Sequence, residues 1–248
     1  MNFSGKRVWV TGAGRGIGAT IADLFCKNGA AVFGFDIKFP EAEYGYETVP
    51  LDLSNSDQIT QVCKGLLTDN LGPDILVNAA GILRIGGISE LTLSDWHDCL
   101  SVNVTGPFSL IKELALHFKN QGKGAIVNVA SNAAHVPRLG MTAYCASKSA
   151  LVGLSHCVAL ELAEYGVRCN LVSPGSTDTE MLRELWGSEG SEAATVAGNP
   201  EGYKLGIPLK KIASTSDIAN TVMFLASDMA AHITMQDIVV DGGATLGS

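Results

Sequence analysis

Short apolar runs alternate with longer stretches of helical spacing along the whole chain. The first run, residues 6–11, leads into a glycine cluster at 12–18 and helical periodicity at 19–28, with Gly29 as a stop signal. A second run at 31–35 ends in Asp36, a third at 47–51 in Asp52 and Leu53, and a fourth at 74–77 in Asn78-Ala79-Ala80-Gly81. Later runs fall at 124–130, 167–173 and 237–240. Helical spacing covers 59–71, the stretch from Thr92 or Ser94 to 119, 144 to about 165, and 217–227. Pro174-Gly175 breaks the sixth run, and 176–206, rich in Gly, Ser and Glu, reads as a mobile lid more than a core element. This alternation predicts an α/β fold of Rossmann type: one domain over 1–248, with a doubly wound, mostly parallel seven-stranded sheet and helices on both faces.

Composition narrows the partners. The 248 residues are 46% hydrophobic and 17% charged, which suits one domain with a sizeable core. A net charge of -8 supplies no basic face for nucleic acid or an anionic membrane. No stretch approaches the roughly 18 consecutive apolar residues of a membrane span, and no basic-then-apolar leader precedes the first strand, so a cytoplasmic location is expected. Cys26, Cys63, Cys99, Cys145, Cys157 and Cys169 form no C-x-x-C pair and no metal-type cluster with histidines, and read as reduced, mostly buried thiols.

The candidate chemistry lies at the strand ends. Gly12, Gly14, Gly16 and Gly18, with Arg15 and Ile17 among them, stand between a strand and a helix, where a pyrophosphate meets helix-start amides; a plain tight turn would need similar residues. Asp36 follows at the spacing of a carboxylate that accepts from adenosine ribose hydroxyls and repels a 2′-phosphate, favouring NAD over NADP. Arg15 pulls the other way, but an unpaired carboxylate beside a phosphate costs more. Asp52 and Leu53 can reach the adenine edge, or Asp52 can serve a helix start with Ser54, Asn55 and Asp57. Small residues at Asn78, Ala79 and Gly81 let the chain pass under a flat cofactor, or simply pack tightly. Asn103, inside an apolar helix face, needs a partner: either a backbone group or a proton-relay water.

Ser131 closes the fifth run, and Tyr144 and Lys148 stand four apart on the next helix, so the ammonium can lie near the phenol and favour its ionised form. An ordinary helix surface also offers Tyr-x-x-x-Lys, and only the setting gives this pair meaning. Arg84 and Arg138 occupy the two loops expected to border the site, with His135 beside the second and Met181 in the lid.

Taken together, Thr11 to Gly18, Asn78 to Gly81, Asn103, Ser131, Tyr144, Lys148 and Pro174-Gly175 resemble the short-chain dehydrogenase/reductase family over essentially the whole chain. The resemblance implies a catalytic tetrad of Asn103, Ser131, Tyr144 and Lys148, an NAD-type cofactor also touched by Pro174, Gly175 and Thr177, and a homotetramer. Further blocks are similar to one branch of that family: 2–6 with 8–14, 78–84, Ala133-Ala134-His135 with Pro137-Arg138, 173–179 and 236–243. That branch oxidises a cyclic dihydrodiol carboxylate to the catechol acid of enterobactin-type siderophores. It implies a substrate carboxylate held by Arg138 or, second, Arg84, with Ser131, His135 and Met181 around the ring. A 3-ketoacyl carrier-protein reductase of the same family would need a basic docking face and NADPH, and a dinucleotide-sensing module without turnover would not need an intact Ser131, Tyr144 and Lys148.

Overall fold

The computed structural model describes residues 1–40, 43–186 and 190–247. Its strands are β1 (Arg7–Thr11), β2 (Ala31–Asp36), β3 (Glu47–Pro50), β4 (Ile75–Asn78), β5 (Gly124–Val129), β6 (Val167–Pro174) and β7 (Asp237–Val240). They form one sheet in the order β3-β2-β1-β4-β5-β6-β7. Every pairing is parallel, where the sequence predicted a mostly parallel sheet.

The helices are α1 (Gly16–Lys27), α2 (Ser56–Thr68), α3 (Leu93–Leu100), α4 (Gly106–Gln121), α5 (Thr142–Leu162), α6 (Glu180–Trp186), α7 (Glu192–Ala197) and α8 (Thr215–Ala226). Alternate strand residues feed two cores because successive side chains point to opposite faces. Val8, Val10 and Val127 pack with Ile21 and Phe25 of α1 and Ile218 and Val222 of α8. Trp9 and Ile126 pack on the other face with Ile59 of α2, Leu110, Leu114 and Phe118 of α4, and Leu162 of α5. Burying each such side chain contributes about 1.5–3 kcal/mol. Residues continuous in apolar character are therefore split by the sheet between two helical layers.

Caps show which helix starts are closed. The side chain of Asn55 accepts from the Gln58 amide ahead of α2, and Thr92 with Asp95, and Ser214 with Asp217, form reciprocal capping boxes for α3 and α8. Arg15, ahead of α1, gives no side-chain cap, and no acidic residue lies in the first turn. Those amides stay open toward the C-terminal edge of the sheet.

The helix predicted from Thr92 to 119 is one rod with a π-helical turn, Ser101–Thr105, between α3 and α4. In a π turn the backbone bonds skip an extra residue, which shifts the faces on either side and often marks a functional position. Asn103 sits in this turn. Residues 176–206 carry α6 and α7; positions 187–189 of the predicted lid lie outside the described residues.

Candidate active site

A cavity of 340 Å³ opens above the C-terminal ends of the central strands. Ile17, Ala79, Gly81, Val129, Ser131, Tyr144, Lys148 and the stretch 174–177 line it from the sheet side, and Met181, Leu182, Leu185 and Lys204 from segment 176–206.

Ser131 leaves β5 in extended conformation and its Oγ accepts the Ala133 amide hydrogen at 3.2 Å. Its hydroxyl faces the phenol of Tyr144 and favours the ionised phenol. One turn further along α5, Lys148 is buried; its Nζ donates to the Val129 carbonyl at 2.9 Å and lies 5.8 Å from the centre of the Tyr144 ring. Burial pushes Lys148 down to about 8. The Tyr144 phenol moves upward, because burial outweighs the opposing Ser131 hydroxyl. The expectation that the neighbouring ammonium would lower the phenol is therefore not met in the protein alone: both groups are drawn toward their neutral forms by lost solvation.

Asn103 is fully buried. Its Oδ1 accepts the Ile82 amide at 2.9 Å, and its Nδ2 donates to the Ile82 carbonyl at 3.0 Å and to Ser147 Oγ at 2.9 Å. The carboxamide thus clamps the chain leaving β4 to the helix that carries Tyr144 and Lys148. A Cβ on Gly81 would come 3.2 Å from Lys148 Nζ and 3.3 Å from Asn103 Oδ1, so a side chain there would crowd the ammonium.

The dinucleotide side is built from the glycine turn. Gly12 has φ 71°, and a Cβ there would stand 2.8 Å from the backbone of Ala80. Thr11 Oγ1 accepts the Ala79 and Ala80 amides, tying the β1 and β4 exits together. Asp36 Oδ2 accepts the Gly14 amide at 2.9 Å, which sets the carboxylate against the turn. Arg15 forms an ion pair with Glu180 of α6, so the charge that could have favoured a 2′-phosphate already has a counterion. Uncapped α1 amides, a glycine turn that admits no side chains and a carboxylate at the end of β2 fit an NAD-type dinucleotide.

Several predicted contacts lie elsewhere. Arg84 is not a cavity residue: it pairs with Asp98 at 3.1 Å and Asp95 at 3.5 Å, acids that α3 presents to its loop. His135 also misses the cavity; its Nε2 meets Asp237 Oδ2 at 2.9 Å, and Ser173 Oγ donates to the same oxygen. Asn78 turns into the interior, where its Nδ2 donates to Asn128 Oδ1 at 2.8 Å. Leu53 is a core residue, and Asp52 Oδ1 accepts the Ser54 amide and hydroxyl ahead of α2. Arg138, Met181, Pro174, Gly175 and Thr177 do line the cavity. So does Leu182, expected with Met181 to cover the ring from the lid, and so do Leu139, Met141, Leu185 and Lys204, which the sequence reading did not single out as lining the site. Lys204 had a signal: with Arg183 it is one of two basic residues in 176–206, just after the turn-forming Asn199-Pro200-Glu201-Gly202.

A family model described as Enoyl-(Acyl carrier protein) reductase matches residues 12–245. A relative from Escherichia coli (strain K12), 2,3-dihydro-2,3-dihydroxybenzoate dehydrogenase, is 55% identical over 248 residues, 100% of either chain. The chain belongs to the short-chain dehydrogenase/reductase family. A relative of the same name from Bacillus subtilis (strain 168) is 43% identical over 99% of this chain and 98% of its own. A solved short-chain fold, 4-hydroxyisoleucine dehydrogenase complexed with NADH, has a TM-score of 0.84 at 32% identity, covering 98% of this chain and 100% of that one. Within this dehydrogenase family the arrangement of Ser131, Tyr144 and Lys148 can move a proton between a bound alcohol and a phenol at the edge of the glycine turn.

Proposed function

We propose that this dehydrogenase oxidises 2,3-dihydro-2,3-dihydroxybenzoate to 2,3-dihydroxybenzoate with NAD+, as a step of catecholate siderophore formation. The observation that carries the reading is the make-up of the cavity: Ser131 and Tyr144 with apolar walls of Leu83, Leu139, Met141, Met181 and Leu182, the cation Arg138, and no acidic residue in the lining. An apolar ring that bears a hydroxyl and a carboxylate matches those three features. The end-to-end likeness to relatives of that name supports the same reading.

Tyr144, deprotonated, takes the proton of the ring hydroxyl, while the Ser131 hydroxyl holds the reacting oxygen in line. Lys148 keeps a positive charge behind the phenol and has N–H groups beyond the one given to Val129 for a ribose hydroxyl. NAD+, when bound, supplies the acceptor for the carbinol hydride. Gly12, Gly16, Ile17 and Gly18 would hold its phosphates, Asp36 its adenosine ribose, and Ala79, Gly81, Pro174, Gly175 and Thr177 the remaining length. Asn103 keeps Gly81 and Ile82 registered against α5 and stands where a proton relay would leave. The ring ketone left by oxidation tautomerises to a catechol, so aromatic stabilisation drives the reaction forward.

The direct test is turnover of the dihydrodiol acid, followed by the near-ultraviolet absorbance of reduced nicotinamide, with NAD+ and NADP+ in parallel. Turnover with NAD+ well above NADP+ is expected; no reduction by the acid, with neutral cyclic alcohols accepted, would remove the substrate assignment. Asp36→Asn keeps an acceptor for the Gly14 amide but loses the charge. It should move the ratio of kcat/KM for NADP+ over NAD+ upward by about tenfold or more. Arg138→Met should raise KM for the acid by about 10- to 100-fold and alter kcat little, because a charge-assisted carboxylate contact is made in ground and transition states alike. Equal effects on a neutral dihydrodiol would take Arg138 out of the site.

We also assign a homotetramer in the cytoplasm. Phe108 and Leu116 of α4 and Leu160 of α5 are exposed apolar side chains on the two long helices, which a partner subunit would cover, and the six cysteines are free thiols suited to a reducing compartment.

A further inference from the structure

The cavity wall carries three cations, Arg138, Lys148 and Lys204, and no carboxylate. Lys148 already donates to Val129. Arg138 and Lys204 are different: among the described residues neither side chain has a hydrogen bond or an ion pair. They come from separate parts of the chain, Arg138 from the loop after β5 and Lys204 from the segment after α7, yet both line one cavity, and burial first and the nearby Arg138 second disfavour the charged form of Lys204. Bringing two half-buried like charges together without a counterion is unfavourable unless an anion joins them. The carboxylate that acts on Arg138, Asp241, is committed elsewhere: its oxygens accept from the Gly243 and Thr245 amides, the Thr245 hydroxyl and Asn132.

The backbone that presents Lys204 is firmly built. The Asn199 amide donates to the Lys204 carbonyl at 2.8 Å and the Lys204 amide to the Asn199 carbonyl at 2.9 Å, while Asn199 Oδ1 accepts the Gly202 amide. Gly198 has φ 86°, and a Cβ there would stand 2.5 Å from the Gly206 nitrogen, so the two ends of the loop close on each other. Arg138 is anchored too: the Gly86 amide donates to Gly140, stitching its loop to the one after β4. Two cations are therefore delivered to one apolar chamber by two independently braced loops.

We propose that Lys204 is a second cationic contact for the substrate's carboxylate, acting with Arg138. This rests on the reading of the substrate as a ring carboxylic acid. Two cations on one carboxylate make acid recognition a joint property of a fixed loop and of the segment covering the site. A neutral diol fits the same apolar walls but leaves both charges facing each other, which discriminates against it.

The test uses the full-length protein with NAD+ saturating. It measures the Kd of 2,3-dihydroxybenzoate and the KM of the dihydrodiol acid and of its methyl ester, for wild type, Lys204→Met, Lys204→Arg and Arg138→Met. Lys204→Met should weaken binding of the acid by about tenfold or more and lose much more on the acid than on the ester, with Lys204→Arg restoring most of the difference. Weakening by Lys204→Met should also shrink at high salt, since the wild-type contact is screened there. If wild type prefers the acid and Arg138→Met abolishes that preference while Lys204→Met leaves it intact, Lys204 is not a carboxylate contact and only this proposal fails. If wild type handles ester and acid equally, the carboxylic-acid reading fails and takes this proposal with it. Equal losses on acid and ester would assign Lys204 to the architecture of its loop.

Discussion

Tyr144→Phe lowers kcat for the dihydrodiol acid by about 10³-fold while NAD+ still binds, because the ring stays in place and only the proton acceptor is removed. Burial holds the phenol above its ordinary range despite the Ser131 hydroxyl. An alcohol oxidation needs the deprotonated form, so kcat/KM of the wild type should climb with pH through neutrality into the alkaline range. The residual activity of Tyr144→Phe, with no phenol to titrate, should be flat over the same range. Stopped-flow measurement of reduced nicotinamide across pH checks both. A wild-type profile that is itself flat, or a variant that keeps the slope, would mean that another group accepts the proton. Ser131→Ala should act less severely, since it removes the hydroxyl that positions the oxygen but leaves the acceptor.

Lys148→Met abolishes most turnover, by about 10²-fold or more, and at the same time stabilises the folded protein at neutral pH. The two effects have one origin. Lys148 is buried with a single acceptor among the described residues, the Val129 carbonyl, and its folded value falls from 10.5 to about 8. Between those values the unfolded chain binds more protons than the folded one, so this group's contribution to stability rises with pH across the window. It is least favourable below about 8, where the buried amine must carry its charge. Methionine has a similar length and no charge, and should gain about 3 kcal/mol near pH 7, less whatever the Val129 carbonyl loses in its bond. Urea melts at pH 7 and at a pH above the window measure this: the advantage of the variant should narrow as pH rises. An advantage independent of pH would instead point to packing. A residue retained at a cost to stability belongs to function, which is why the two readouts should be taken together.

Much of this could be read from the residues because the signals were local. A parallel strand buried on both faces must be apolar throughout, so Val8-Trp9-Val10 and Ile75-Leu76-Val77 announce themselves. Each is followed at once by the glycine or small residues that the turn requires. Asp36, Ser131, Tyr144 and Lys148 lie at strand ends or one helical turn apart, distances that sequence spacing encodes. What was hidden depends on distant parts of the chain. The start of α1 at Gly16, three residues ahead of the predicted 19, was masked because glycines in a first turn look like loop. The π turn around Asn103 leaves no trace in a helical apolar pattern. Arg84 and Arg138 are both loop arginines; only the position of Asp95 and Asp98 on α3 shows that the first is engaged and the second free to face the cavity. His135 is drawn to Asp237, 102 positions later. The Tyr144 pKa went in the unexpected direction because spacing reveals the neighbouring ammonium but not the burial of both groups.

Residues 241–245, just past β7, form part of the chamber. Ala244 lies in its wall, and Asp241 gathers Gly243, Thr245 and Asn132 around the β6 exit, where a Cβ on Gly175 would stand 2.5 Å from the Asp241 Cβ. Replacing or removing residues 241–245 would therefore open the chamber beside the β6 exit while leaving the glycine turn and α5 unchanged in sequence.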